Sequence, residues 1–238
     1  MKIVIKIGTN AIFDYKKQII NGKILRGIAK DVQTLLKRGN EVIIVTSGAV
    51  GCGKKFVKGD GELGLKQAQA AVDQPILMEN YRKYFSRYNL NVAQFLLTSD
   101  DLNSAQRLKS IKETYNNLLT KAIPIVNEND TTVTKELSFG DNDNLAAQLL
   151  LSLNFDVLII LTEIGALIKD KIPLLKSNSF DVNYYDSIKI SNHGFGGLRS
   201  KLDSAKKIVE RGKKCIVAKA GDSIIDILDK KAVATIFS

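Results

Sequence analysis

The sequence has one histidine, two cysteines and three prolines in 238 residues, and each scarcity excludes something. Cys52 and Cys215 are far apart and show neither CxxC nor Cys/His spacing, so a disulfide framework and a zinc site are both unsupported. His193 reads as a loop residue beside glycines. No run approaches the roughly 18 apolar residues of a membrane span, and the N-terminal MKIVIKIG reads as a strand rather than a signal peptide. A cytoplasmic location is the expectation. No linker rich in Pro, Gly or Ser divides the chain, and no internal repeat or low-complexity tract is present, so a single domain over 1–238 is expected.

The hydrophobic content of 45% is that of an ordinary globular chain with a sizeable core. The formal net charge is +10, which raises nucleic acid as a partner. The lysines, however, are scattered along helical faces such as KDVQTLLKRG and KKIVERGKK, without a DNA- or RNA-binding motif. Solvated helix faces and attraction for small anions account for them better.

Short apolar runs rich in β-branched residues alternate with longer segments of helical period. Strands are expected at Ile3 to Ile7, Val42 to Thr46, Val92 to Leu97, Ile123 to Asn127, Val157 to Thr162, Cys215 to Ala218 and Val233 to Phe237. Helices are expected near 23 to 38, 64 to 87, 100 to 120, 142 to 153 and 198 to 212. This alternation predicts an α/β fold with a mostly parallel sheet covered by helices on both faces. Thr131 to Phe139 alternates like an inserted hairpin strand, and the irregular stretch 168 to 193 has the length of a functional flap.

VIIVTSGAVGCGKK, residues 42 to 55, imitates a P-loop, with Gly48-x-x-x-x-Gly53-Lys54 following an apolar strand. The next residue should be Ser or Thr to ligate magnesium, and it is Lys55, which cannot. GDGELG at 59 to 64 matches GxGxxG, but no strand precedes it.

The chemistry gathers at predicted strand ends, where open parallel sheets bind ligands. Lys6 lies inside an apolar strand, where it needs an anionic partner or an edge position. Gly8 and Gly48 permit close backbone approach, with N–H groups available to oxygens, or else serve as tight turns. Asn127 and Asp130 close the fourth strand, and Thr162 and Glu163 the fifth. Asp141, Asn142 and Asp143 open a helix, Asp141 doubling as a candidate N-cap. GFGGLRSK, residues 194 to 201, is either an anion nest at a helix start or a plain glycine connector.

The ordered set KIGTN, VTSGA, LKQAQAAV, QFLLT, PIVNEND, FGDNDNLAA, LIILT and GGLRSK resembles the amino-acid kinase family along nearly the whole chain. The resemblance implies a three-layer α/β/α sandwich, an N-terminal glutamate-binding lobe (1–153) and a C-terminal ATP-binding lobe (154–238). NEND followed by GDNDN implies glutamate as the acceptor. Ser47, Gly48, Ala49, Asn127, Asp130, Asp141 and Asn142 match acceptor-binding positions. Lys6, Gly8, Thr162, Glu163 and the loop Phe195, Gly196, Gly197, Leu198, Arg199, Ser200 and Lys201 match the nucleotide site. Lys6 and Lys201 match the cations on the transferring phosphoryl group, and Asp143 the carboxylate that holds them. Mg²⁺ would be carried by the ATP phosphates, with no protein side chain assigned to it.

The resemblance further implies a homodimer or tetramer and proline as a feedback inhibitor. The chain stops at Ser238, so a kinase module without an appended C-terminal RNA-modification-type (PUA) domain is expected. Four positions depart from the family pattern: Asp73 replaces glycine, Glu163 aspartate and Phe195 threonine, and an expected Asp-Pro is replaced by Lys169-Asp170-Lys171-Ile172. Two other functions compete: the same fold acting on another small carboxylate or phosphate, and a non-catalytic regulator that binds amino acid or nucleotide.

Overall fold

The computed structural model describes residues 1–14, 17, 19–47, 53, 56–59, 62–132, 142–186 and 197–238. Seven strands form one sheet: β1 (Lys2–Ile7), β4 (Glu41–Thr46), β5 (Val92–Leu97), β6 (Ile123–Glu128), β7 (Val157–Thr162), β10 (Lys214–Lys219) and β11 (Ala234–Phe237). Their order is β11-β10-β7-β1-β4-β6-β5. The pairings from β10 to β5 are parallel, and β11 adds to β10 antiparallel. All seven expected strands are present.

Period-2 alternation divides the core into two layers. Ile3, Ile5 and Ile7 of β1 pack with Leu25, Val32, Leu77 and Tyr81 from the helices α2 (Gly22–Lys37) and α3 (Leu63–Phe85). Val4 packs on the opposite face with Leu145, Leu149, Leu202 and Ala205 from α6 (Asn142–Ser152) and α7 (Leu198–Val209). Lys6 belongs to the Val4 face by the same alternation. β1 lies between β7 and β4, so Lys6 is on a central strand, and the edge-strand explanation for it is excluded.

Several expectations are refined. The helix at 100 to 120 is two helices, α4 (Ser99–Asn103) and α5 (Ala105–Leu118), because Ser104 is extended and N-caps the second through the Arg107 N–H. Helix α3 continues through Pro75, although an internal proline removes a hydrogen bond. The 168 to 193 stretch contains a tight hairpin, β8 (Ile168–Lys169) and β9 (Ile172–Pro173). Short elements not expected from the sequence are α1 (Thr9–Ile12), the ribbon β2 (Phe13–Asp14) with β3 (Ile19–Ile20), and α8 (Ile224–Leu228). Of the proposed hairpin strand at 131 to 139, Thr131 and Thr132 form a turn, and the remainder lies outside the described residues.

The P-loop imitation is resolved at Gly53. A P-loop would open its helix at the Gly-Lys, whereas α3 begins at Leu63 and the described residues between it and β4 include no α-helix. A Cβ on Gly53 would lie 2.2 Å from the Gln69 carbonyl oxygen of α3. The glycine is there for close packing: the chain passes against the α3 backbone, and the Gln69 amide donates to the carbonyls of Val57 and Gly59, each at 3.0 Å. The backbone cannot retreat as a flexible side chain could. Gly53→Ala should therefore destabilise the protein by about 2 kcal/mol or more. Gly64→Ala, in the first turn of α3 with nothing within 4 Å of its would-be Cβ, should be neutral or stabilising by up to about 1 kcal/mol. Chemical denaturation of the two variants checks the contrast, and equal stabilities would contradict it.

Candidate active site

The site lies at the carboxyl ends of β1, β4, β6 and β7. Asp143, in the first turn of α6, is fully buried and stands between two ammonium groups. Its Oδ1 is 2.6 Å from Lys6 Nζ and its Oδ2 is 3.1 Å from Lys201 Nζ. Lys6 reaches it from the α6 face of β1, and Lys201 from the first turn of α7, which packs along α6. The Lys6 side chain is almost wholly buried, whereas Lys201 retains 17% exposure. Burial would raise the Asp143 pKa, but the two lysine charges and their hydrogen bonds outweigh it and hold the carboxyl below its ordinary range. Two ammonium groups held at one point by a fixed carboxylate suit the binding of an anion.

A second cluster surrounds the end of β6. The N–H of Glu128 donates to Asn127 Oδ1 at 3.0 Å and to Asn142 Oδ1 at 3.2 Å, which ties the strand end to the start of α6. Asn127 Nδ2 donates to Gln74 Oε1 of α3 at 2.8 Å. Asp130 is buried, and desolvation together with the nearby Glu128 carboxylate pushes its pKa up to about 7. At the end of β4, Tyr81 donates its hydroxyl to Thr46 Oγ1 at 2.9 Å, and the Thr46 hydroxyl in turn donates to the Ser47 carbonyl at 3.1 Å. Ser47 is itself buried and held by its N–H to the Ile7 carbonyl at 3.0 Å.

Among the residues selected from sequence, Lys6, Asp143 and Lys201 are in direct contact, and Asn127 and Asn142 share the Glu128 N–H. Gly8 differs from expectation: its N–H is donated to the Leu161 carbonyl at 3.3 Å and is not available to a ligand. Thr162 is committed to a turn, accepting the Gly165 N–H at 2.8 Å, while Glu163 is exposed. Gly197 is the N-cap residue of α7 and makes no side-chain cap, with Leu198, Arg199 and Ser200 following in the first turn. Gly48, Ala49, Asp141, Phe195 and Gly196 lie outside the described residues, as do Cys52, Lys54 and His193.

The stretch that replaces the expected Asp-Pro is well built. Asp170 and Lys171 both have positive φ, 52° and 64°, as a two-residue type I′ hairpin requires. Their N–H groups donate to the two carboxylate oxygens of Asp186 at 3.0 and 2.8 Å. Two residues in the cluster at the end of β6 are not among the candidates that the sequence offers, Gln74 and Glu128. Both lie within strings already singled out or directly beside them, but only tertiary contact reveals their roles.

No described residues gather three or more His, Cys, Asp or Glu side chains around a point, and both oxygens of Asp143 face lysines. No described helix is long and apolar enough to cross a membrane.

A parallel sheet with two lysines pinned by one buried carboxylate at its carboxyl edge is suited to binding phosphate groups, and the chain belongs to the amino acid kinase family, whose model matches residues 1–219. Within the family its sequence relatives are glutamate 5-kinases. That of Dictyoglomus turgidum is 36% identical over 250 aligned positions, covering 99% of this chain and 67% of the relative. That of Thermoanaerobacter sp. is 35% identical over 259, covering 100% and 68%. The chain thus spans about two thirds of their length. The fold is also that of Giardia carbamate kinase (TM-score 0.67, 15% identity, 100% of this chain and 99% of the other). The UMP kinase of Ureaplasma parvum is likewise similar (TM-score 0.63, 17% identity, 99% and 98%).

Asp130 supplies a pH test. Its pKa is raised by folding, so the favourable contribution of its proton is fully present below the ordinary carboxylate pKa near 4 and is lost as pH rises through about 7. Asp130→Asn, which cannot ionise, should gain stability relative to the unliganded wild type between pH 5 and pH 8, by about 1 to 2 kcal/mol. Denaturant titrations at both pH values measure this. A stability difference independent of pH would show that the carboxyl is not perturbed.

Proposed function

We propose that the chain transfers the γ-phosphoryl group of ATP to the γ-carboxylate of L-glutamate, giving L-glutamyl 5-phosphate, the first step of proline biosynthesis. The observation that carries this is the Lys6–Asp143–Lys201 group beside the Asn127, Asp130 and Asn142 cluster on one edge of the sheet. Buried polar residues suited to an amino acid stand next to cations suited to a phosphoryl group.

The acceptor's γ-carboxylate is already ionised at pH 7, so no general base is required. One of its oxygens forms the new bond to the γ-phosphorus, the bond from that phosphorus to the bridging oxygen breaks, and ADP leaves with the electron pair. No proton moves. The barrier lies in bringing anion against anion, and Lys6 and Lys201 offset it from fixed positions. Asp143 holds both ammonium groups at the place where the charge of the transferring group is spread.

In this reading residues 1–153 form the glutamate lobe and 154–238 the ATP lobe. Ser47 and the loop behind it, with Gly48 and Ala49, join Asn127, Asp130, Asp141 and Asn142 around glutamate. Gly8, Thr162, Glu163 and residues 195–201 face the nucleotide, Gly8 by close approach alone. Mg²⁺ would be carried by the ATP phosphates, where it would neutralise charge, with no described side chain assigned to it. Proline would compete near the Ser47 loop, and a cytoplasmic homo-oligomer completes the assignment.

ATP, Mg²⁺ and L-glutamate with hydroxylamine should yield γ-glutamyl hydroxamate, and equal or greater turnover of aspartate or acetylglutamate would refute the acceptor. Lys6→Ala and Lys201→Ala should each lower turnover by roughly 100-fold or more with the fold retained by circular dichroism. Lys54→Ala should change it by less than about threefold. The reverse ranking would restore the P-loop.

A further inference from the structure

We infer that Gln74 is an acceptor-binding residue that donates from its amide nitrogen to the α-carboxylate of glutamate, with Asn127 as the positioning residue that aims it. The inference rests on the proposed glutamate reaction and adds a specificity determinant to it.

Hydrogen bonds fix the orientation of both amides. The backbone N–H of Glu128 donates to Asn127 Oδ1 at 3.0 Å, so that end of Asn127 must be the oxygen. Asn127 Nδ2 then faces Gln74 and donates to its Oε1 at 2.8 Å. Gln74 must therefore point its nitrogen the other way. That nitrogen is sealed from solvent and has no acceptor among the described residues. Buried donors are rarely left in this state, and here three linked groups enforce it.

An acceptor in the opposite situation lies on the same strand end. Asp130 Oδ1 is buried and lacks a donor among the described residues. One missing acceptor and one missing donor near the end of β6 match the two charged substituents of an α-amino acid: carboxylate for Gln74, ammonium for Asp130. The sheet order indicates which carboxylate. β6 is separated from β1 by β4, which puts Asn127 about 10 Å from Lys6 across the sheet. The γ-carboxylate must lie at Lys6 and Lys201 for transfer, so the α-carbon end extends towards β6.

The experiment compares Gln74→Glu and Gln74→Met with wild type in the hydroxamate assay, using the full chain. Gln74→Glu keeps an oxygen for Asn127 but presents an acceptor in place of the donor. Both variants should raise KM for glutamate by about 10- to 100-fold, with kcat and KM for ATP within about threefold of wild type. The discriminating probe is the α-amide of glutamate as a competing ligand, since it keeps the ammonium and the γ-carboxylate. In Gln74→Glu the ratio of KM for glutamate to Ki for the α-amide should rise by about 10-fold or more, because a carboxylate accepts from the amide and repels the acid. A packing role would weaken both ligands together and leave the ratio unchanged, which overturns the inference, as does an unchanged KM. If Gln74→Glu does not fold, the same ratio in Gln74→Met should still rise, since the preference for the acid is lost. A wild type that does not phosphorylate glutamate refutes the reaction and this inference together, whereas an active wild type with indifferent variants refutes the inference alone.

Discussion

The contact between Asp143 and the two lysines is the constraint on which the rest of the site depends. An ion pair this deep is a poor source of stability, since desolvating the charges costs several kcal/mol per ion and mutual attraction only partly recovers it. Its value is positional. Lys6 on a central strand, with its side chain nearly wholly buried, could not remain charged without a fixed anion, and Asp143 supplies one from the first turn of α6. The same carboxylate draws in Lys201 from α7, so that three elements far apart in the chain converge on a single point. Both ammonium groups are thereby held in a region of low dielectric, where a charge acts more strongly than it would in water.

Sheet alternation explains why the two halves of the site keep apart. Odd-numbered residues of β1 and β6 face α2 and α3, and even-numbered ones face α6 and α7. Lys6 is therefore directed to Asp143, while Asn127 is directed to Gln74. The two faces are joined by the N–H of Glu128, which bonds both Asn127 and Asn142. A shift of one residue in β6 would turn Asn127 away from Gln74 and dissolve that cluster. The Asn127 cluster and the α6 face are thus coupled through backbone at the end of one strand.

Much of this was legible in the sequence, for identifiable reasons. All seven sheet strands were visible because each is a compact run of β-branched and aliphatic residues bounded by polar turns. Lys6, Asp143 and Lys201 were visible because a lysine in an apolar strand and a carboxylate at a helix start both demand explanation. Ser104 was missed because its extended backbone, rather than its identity, breaks the helix at 100 to 120. α1, β2, β3 and α8 run from two to five residues, too short for periodicity to register. Gln74 is locally just the glutamine after Asp73 in a family run, beside Pro75 in a helix, and its contact with Asn127, 53 residues on, comes from the fold. Gly53 looked like part of a phosphate loop, because a glycine that permits backbone packing and one that permits phosphate approach are the same letter.

The departures from the family pattern divide by location. Lys169 to Ile172 replaces a proline-containing turn with a different self-consistent one, since positive φ at Asp170 and Lys171 is supported by the hydrogen bonds that their two N–H groups donate to Asp186 and by Lys169 Nζ lying 3.7 Å from the Tyr184 ring centre. Glu163 is exposed and follows a threonine whose hydroxyl already holds its own turn, so the extra methylene meets no packed neighbour that would have to yield. Asp73 is of another kind. It is only 2% exposed, in a helix interior where glycine is worse than most residues by up to about 1 kcal/mol, so replacing glycine there favours the helix while placing a carboxylate in the core. That carboxylate is the immediate neighbour of Gln74, on the α3 side of the sheet. The departures at Glu163 and at Lys169 to Ile172 are thus accommodated near the surface, Phe195 lies outside the described residues, and Asp73 is the one of the four that is buried in the described structure.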